Sequence, residues 1–370
     1  MGIKIGEASL GFSFGKRESM KEAQYVVLNK DNFDGFISRL SKTQRVAAPV
    51  SKGYNNFAFE DVSSGKEIAI KYIPTVLPPK KYFMPQQETL LEFSTKKGLD
   101  VRPVVEFESI VLFGLHTCDL AGIQCLNIAL SQRPRDYNYL LRKNRIAIIG
   151  LECNGYCDEY ASCALVNANM PSGGYDLFFT DMGDYFIVHV NTQSGEELIE
   201  TSKYFENADK THMDALTSLR EKKKEIFRNE VPIDPKEIPA LFDRSFESGV
   251  WKGLGERCLA CGNCTNVCPT CYCFDVIEEP NLELNGGRRY RKWDSCQLEP
   301  FAKVSSGENF REERSERQRH RYYRKFSYPV KKFSRFFCTG CGRCSRTCMA
   351  DITLKETLNS LIKEDGLCKK

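Results

Sequence analysis

No stretch of this 370-residue chain approaches the roughly 18 continuous apolar residues of a membrane span. The first twenty residues, MGIKIGEASLGFSFGKRESM, hold no apolar core of signal-peptide length and read as a flexible extension. Both absences lead to the expectation of a cytoplasmic protein with no membrane span. Histidine is scarce: His116, His189, His212 and His320 are all there is, and no H-E-x-x-H occurs. No G-x-G-x-x-G follows a strand and no G-x4-G-K-[ST] is found; GLGERC (253–258) qualifies as neither. Nothing resembles a nucleophile–base pair, so no residue is named as catalytic. Without a nicotinamide or flavin fingerprint of its own, the chain must exchange electrons through partners. An excess of one charge is missing too. Lys and Arg number 53 against 49 Asp and Glu, which argues against a dedicated nucleic-acid binder.

Cysteine is the residue in excess. There are 17, an odd count, and none lies between Cys163 and Cys258. A disulfide scaffold is disfavoured in a reducing compartment, and clustered thiols there are usually metal ligands or redox groups. The gap divides the chain into a part with five cysteines and a part with twelve.

Periodicity gives the expected architecture. YVVL (25–28) reads as a strand, and DNFDGFISRL (31–40) as a helix capped by Asp31. EIAIKYI (67–73) alternates like a strand, and VVEFESIVLFGL (104–115) is β-rich. RIAIIGL (145–151) has the continuous apolarity of a strand covered on both faces. YDLFFTDMGDYFIVHV (175–190) reads as a hairpin turning at Met182-Gly183-Asp184. Residues 21–205 are therefore expected to form one α/β domain. Residues 206–250 read as a helical connector in which Met213, Leu216, Leu219, Ile226 and Phe227 share a face, with Lys222, Lys223 and Lys224 solvated. Residues 251–370 form the cysteine-rich domain.

Cys258, Cys261, Cys264 and Cys268 make C-x2-C-x2-C-x3-C, followed by Pro269; Cys338, Cys341, Cys344 and Cys348 repeat it, followed by Met349. This is bacterial ferredoxin spacing, in which three thiolates hold one 4Fe–4S cluster and the fourth reaches the other. The expected sets are Cys258, Cys261, Cys264 and Cys348 for one cluster, and Cys338, Cys341, Cys344 and Cys268 for the other. Structural zinc is the rival, but zinc takes four ligands and gains nothing from the extra cysteines of each run. Gly262 and Gly342 hold the same place in each run, where glycine lets the chain fold closely over the sulfides. The long insertion between the runs contains ENFREERSERQRHRYYRKF, so a mostly helical ferredoxin-like domain is expected. Ten Lys or Arg lie between Arg311 and Arg335, near Tyr322, Tyr323 and Phe326. Offsetting the negative charge of the clusters explains them more simply than nucleic acid does.

Cys271, Cys273 and Cys296 are either buried small hydrophobes or ligands of a further cluster. Cys118 follows the strand ending FGLHTCD, and Cys153, Cys157 and Cys163 follow RIAIIGL. Ends of parallel strands converge on one edge, so these four are candidates for a third 4Fe–4S cluster, against a reading as buried thiols. Cys125 reads as packing, His116 as a packed loop residue, and Cys368 as inert near the chain end.

The order of LPPKKYFMP (77–85), VLFGLHTCDLAG (111–122), IAIIGLECNGYCDEYASC (146–163), CLACGNCTNVCPTCYCF (258–274) and RRYRKWDSCQ (288–297) resembles the beta subunits of cytoplasmic sulfhydrogenases. It is also similar to the iron–sulfur subunit of anaerobic sulfite reductase. The resemblance implies an iron–sulfur subunit that relays electrons between a flavoprotein subunit, which carries FAD and handles NAD(P)H, and a catalytic module. That module is a nickel–iron hydrogenase or a sulfite- or sulfur-reducing subunit. The family often has C-x-C where this chain has Ala161-Ser162-Cys163, and Cys157 then becomes the substitute ligand. The alternatives are a relay subunit of a disulfide-reducing or flavin-based complex, an enzyme reducing disulfide or polysulfide at its own N-terminal cluster, and a redox-sensing scaffold.

Overall fold

The computed structural model describes residues 19–366 except 172 and 201. Most of the expected extension, residues 1–18, lies outside the described residues, as does Cys368, and Ser19 already opens the first strand. The strands are β1 (Ser19–Asn29), β2 (Arg45–Ser51), β3 (Phe57–Asp61), β4 (Gln87–Ser94), β5 (Asp100–Pro103), β6 (Ile110–His116), β7 (Ile146–Leu151), β8 (Leu177–Asp181), β9 (Tyr185–Thr192), β10 (Phe205–Asn207), β11 (Phe274–Pro280) and β12 (Gly286–Trp293).

Eight strands form one sheet, in the order β10-β1-β9-β8-β7-β6-β2-β3. Its centre, β2, β6, β7 and β8, is parallel. Every residue of β6 and β7 is buried, because helices cover both faces. Helix Lys30–Thr43 lays Phe36 and Ile37 against Phe113 and Phe179 on one face. Helix Thr117–Leu130 lays Leu120 and Leu126 against Leu112 and Phe178 on the other. Both strands end on the same edge, so the residues after them, Cys118 and Cys153, are brought together there.

A second sheet, β11-β12-β4-β5, is built from two hairpins. β4 comes from the N-terminal part and β12 from the insertion between the cysteine runs, and they pair antiparallel from Gly286↔Ser94 to Lys292↔Gln87. Beneath this seam Arg291 reaches Glu88, which also accepts Arg142, all three nearly fully buried. A third core, of Trp251, Tyr322, Phe326, Leu358 and Leu361, holds helices Gly249–Arg257, Arg314–Phe326 and Leu354–Asp365 around the cysteine runs.

Several expectations are corrected. EIAIKYI is not a strand. β3 already occupies the edge beside β2, and residues 68–73 cross its end with Ile68 and Tyr72 turned into the core. The strand in VVEFESIVLFGL starts only at Ile110. The first helix is capped by Asn29, whose side chain accepts from the Asp31 N–H. Lys223 is not solvated: it is buried against the fully buried carboxylate of Glu152. The cysteine-rich part is not mostly helical, since the β11–β12 hairpin and long loops share it with the helices.

Candidate iron–sulfur centres

The two cysteine runs adopt the same backbone. Gly262 (φ 75°) and Gly342 (φ 74°) are left-handed caps of the short helices Asn263–Asn266 and Arg343–Arg346. Ala260 and Gly340 are also left-handed. These turns bend each run so that its first three thiols face one side. They also aim N–H groups at sulfur: Ala260 N donates to Cys258 Sγ at 3.3 Å, and Gly340 N to Cys338 Sγ at 3.4 Å.

Cys258, Cys261, Cys264 and Cys348 line one cavity together with Gln318 and Arg321. Cys344 also reaches this cavity. Cys338 and Cys341 interact electrostatically with each other, with Cys344 and with Cys268. Each run's fourth cysteine therefore sits among the first three of the other run. Among the described residues no three Cys, His, Asp or Glu side chains close on a single-ion site. The thiols surround space, which suits a cubane better than zinc.

Electrostatics fits the same group. Burial pushes the Cys264 thiol up to about 12, against the pull of Arg321. Burial likewise raises Cys338 and Cys341. Such crowded thiols give up protons to metal ions far more readily than to water. Arg321 is buried, which opposes its charge, yet Cys264 and Cys344 hold its pKa well above the usual value. Gln318 Nε2 donates to Cys258 Sγ at 2.9 Å, and Ile352 N to Cys348 Sγ at 3.4 Å. Donors and cations of this kind stabilise an anionic cluster.

The four N-terminal cysteines also gather. Cys153 interacts with Cys118, Cys157 and Cys163, and its Sγ lies 3.6 Å from Thr117 Oγ1. Burial, then Cys153, pushes Cys163 up to about 12. Cys157 Sγ is 4.0 Å from His116 Nδ1. His116 stacks on Tyr72 at 3.9 Å, and burial followed by Arg343 lowers its pKa to about 3, which keeps it neutral. A cavity of about 440 Å³, lined by Tyr72, His116, Cys153, Tyr156 and Cys157 among others, opens beside these thiols.

The second run is clamped onto this group. Ser162 N donates to Gly340 O at 2.7 Å, and a Cβ on Gly340 would meet the Ser162 carbonyl at 2.3 Å. Arg343, fully buried, forms two bonds to Asp119 at 2.7 and 2.9 Å, and its Nε donates to Thr75 O at 2.6 Å. Cys341 consequently interacts with Cys118 and Cys163 as well as with its own run.

Of the remaining cysteines, Cys125 is buried in its helix and donates to Phe336 O at 3.6 Å. Cys271 Sγ accepts from the half-buried Lys325 at 3.2 Å and interacts electrostatically with Cys268. Cys273 and Cys296 line one small cavity together with Cys271. Sequence reading missed Arg343, Asp119, Gln318 and Lys325. Their signal lay partly in the helix Arg314–Phe326: Gln318, Arg321 and Lys325 are three to four residues apart, with Arg317, Gln318 and Arg321 buried and Lys325 half-buried, so part of the basic stretch points inward.

A family model described as a 4Fe-4S dicluster domain matches residues 257–352. Sulfhydrogenase 2 subunit beta of Pyrococcus furiosus is 32% identical over 339 residues, which span 91% of this chain and 98% of that protein.

Proposed function

This chain belongs to the sulfhydrogenase beta-subunit family and is an iron–sulfur electron-transfer subunit; from that premise we propose that it relays electrons along three groups of thiols. Cubane clusters held by these thiols supply one-electron transfer at low potential. The ligand sets are Cys258, Cys261, Cys264 and Cys348; Cys338, Cys341, Cys344 and Cys268; and Cys118, Cys153, Cys157 and Cys163.

The observation that carries this reading is the unbroken succession of interacting thiols. Cys118 and Cys163 interact electrostatically with Cys341, Cys341 with Cys268 and Cys344, and Cys344 with Cys264. The succession is open at both ends. Cys261 is exposed at one, and the 440 Å³ cavity reaches Cys153 and Cys157 at the other. Arg321 and Arg343, both buried, place positive charge between successive groups. Two ends suit a subunit that docks a flavoprotein carrying FAD and NAD(P)H on one side and a hydrogenase or sulfur-reducing module on the other.

Anaerobically purified protein tests this directly. Three sets predict about 12 iron atoms and as many labile sulfides per chain, whereas two sets give about 8. Fewer than 8 in folded protein would reject the ligand assignment. A second reading rests on the cavity: a small disulfide or polysulfide reacts beside Cys153 and Cys157. Turnover of such a substrate by this chain alone, with a reduced dye, would favour it over a pure relay.

A further inference from the structure

We propose that the connector helix Lys210–Ile226 sets the redox potential of the N-terminal thiol group, with Lys223 and Arg220 as positioning residues that place a surplus of buried positive charge beside Cys153. The inference rests on the ligand set Cys118, Cys153, Cys157 and Cys163 given above.

Glu152, the residue before Cys153, is where the helix takes hold. It extends β7 by one step, and its N–H donates to Phe179 O at 2.8 Å. Its carboxylate is fully buried. Lys223 Nζ donates to its Oε1 at 2.5 Å. Arg220 Nη2 and Thr180 Oγ1 donate to its Oε2 at 3.0 and 2.7 Å. Lys223 is itself only 2% exposed. Two cations on one carboxylate leave an excess positive charge in a dry site. Such a buried ionic group adds little net stability over apolar residues of the same volume, so fastening the helix does not account for it. Lys223 also interacts electrostatically with Cys153.

The same helix ends over the thiols. Phe227, its cap, packs in one apolar cluster with Cys163 and Ala168, flanked by Cys153 and Tyr156. The Tyr156 ring meets that of Phe227 at 5.0 Å, and its hydroxyl donates to Arg228 O at 2.8 Å. This cover excludes water from one side of the group. A cluster held there becomes more negative when it accepts an electron, and burial makes that costly. A nearby positive charge offsets the cost and raises the potential. Two further arginines near the group bring no surplus, because Arg343 is matched by Asp119 and Arg346 by Asp158. The surplus comes from the connector.

The test is a redox titration of anaerobic holoprotein followed by electron paramagnetic resonance, with iron counted in parallel. The signal of the N-terminal group is the one lost in Cys153→Ala. Lys223→Met keeps the aliphatic stem and removes the charge, and its potential is expected to shift down at that signal alone. Glu152→Gln removes the opposing charge and is expected to shift it up. The double variant restores the net charge and is expected to return close to wild type, as is Lys223→Arg. Arg220→Gln, on the less buried cation, gives a second downward test should Lys223→Met lose its iron. A merely structural role predicts lost iron or lower melting temperatures without shifts of opposite sign. Potentials that stay put, or move the same way in Lys223→Met and Glu152→Gln, would overturn this proposal alone when iron for three clusters is present. Wild-type protein with iron for only two clusters, and no signal answering to Cys153, would reject the ligand set and this proposal with it.

Discussion

The two cysteine runs share spacing, backbone turns and φ values, yet they face different worlds. Leu259 and Thr339 occupy the same place in the repeat, and the first is 62% exposed while the second is 3% exposed. Cys261 is exposed and Cys341 is not. The Asn263 side chain bonds across the repeat, to Thr347, whereas its counterpart Arg343 is driven into the α/β domain to meet Asp119. The difference teaches that a repeated motif fixes a local cradle, while the residues between its cysteines decide whether that cradle is an outlet or an internal junction. Here the first run is the outlet and the second the junction.

That contrast is broken most severely at Arg343. Arg343→Leu leaves a buried carboxylate on Asp119 and is expected to cost about 3–5 kcal/mol in denaturant unfolding. The double variant with Asp119→Leu recovers much of the loss. If the two single changes simply added, the clamp would not be an ion pair. Asn263→Leu, at the matching position, removes partly buried hydrogen bonds to Thr347 and is expected to cost only about 1 kcal/mol.

Next comes the left-handed residue of each run. Gly340→Ala drives a methyl into the Ser162 carbonyl and is expected to cost about 1–3 kcal/mol and to loosen Cys163. Ala260→Gly, its counterpart, keeps a left-handed turn that alanine already tolerates, and is expected to change stability by less than about 1 kcal/mol. Equal effects at the two positions would contradict the asymmetry. The smallest change is Leu259→Lys on the exposed rim, expected within about 0.5 kcal/mol of wild type by thermal melting. Thr339→Lys, which buries a charge, is expected to be much worse.

The sequence foretold what depends on spacing. The twin ferredoxin runs, the buried strands β6 and β7, and the convergence of Cys118 with Cys153 at their ends were all legible, because ligand spacing and strand burial are local properties. The interlocking of the halves was not. β4 and β12 are far apart in the chain, and nothing in either announces the other. Arg343 looked like one basic residue among several, because its partner Asp119 is more than 200 positions away and becomes a neighbour only once both elements fold. EIAIKYI misled because its alternation is real but the sheet edge is already occupied by β3.

The sharpest test uses a soluble paramagnetic relaxant with reduced, anaerobic protein, monitored by electron paramagnetic resonance. Signals are assigned by comparing wild type with Cys261→Ser and Cys341→Ser. The signal lost with Cys261 is expected to relax strongly faster on adding the relaxant, and the signal lost with Cys341 to be nearly unaffected. Equal enhancement of both would contradict an exposed outlet joined to a buried junction.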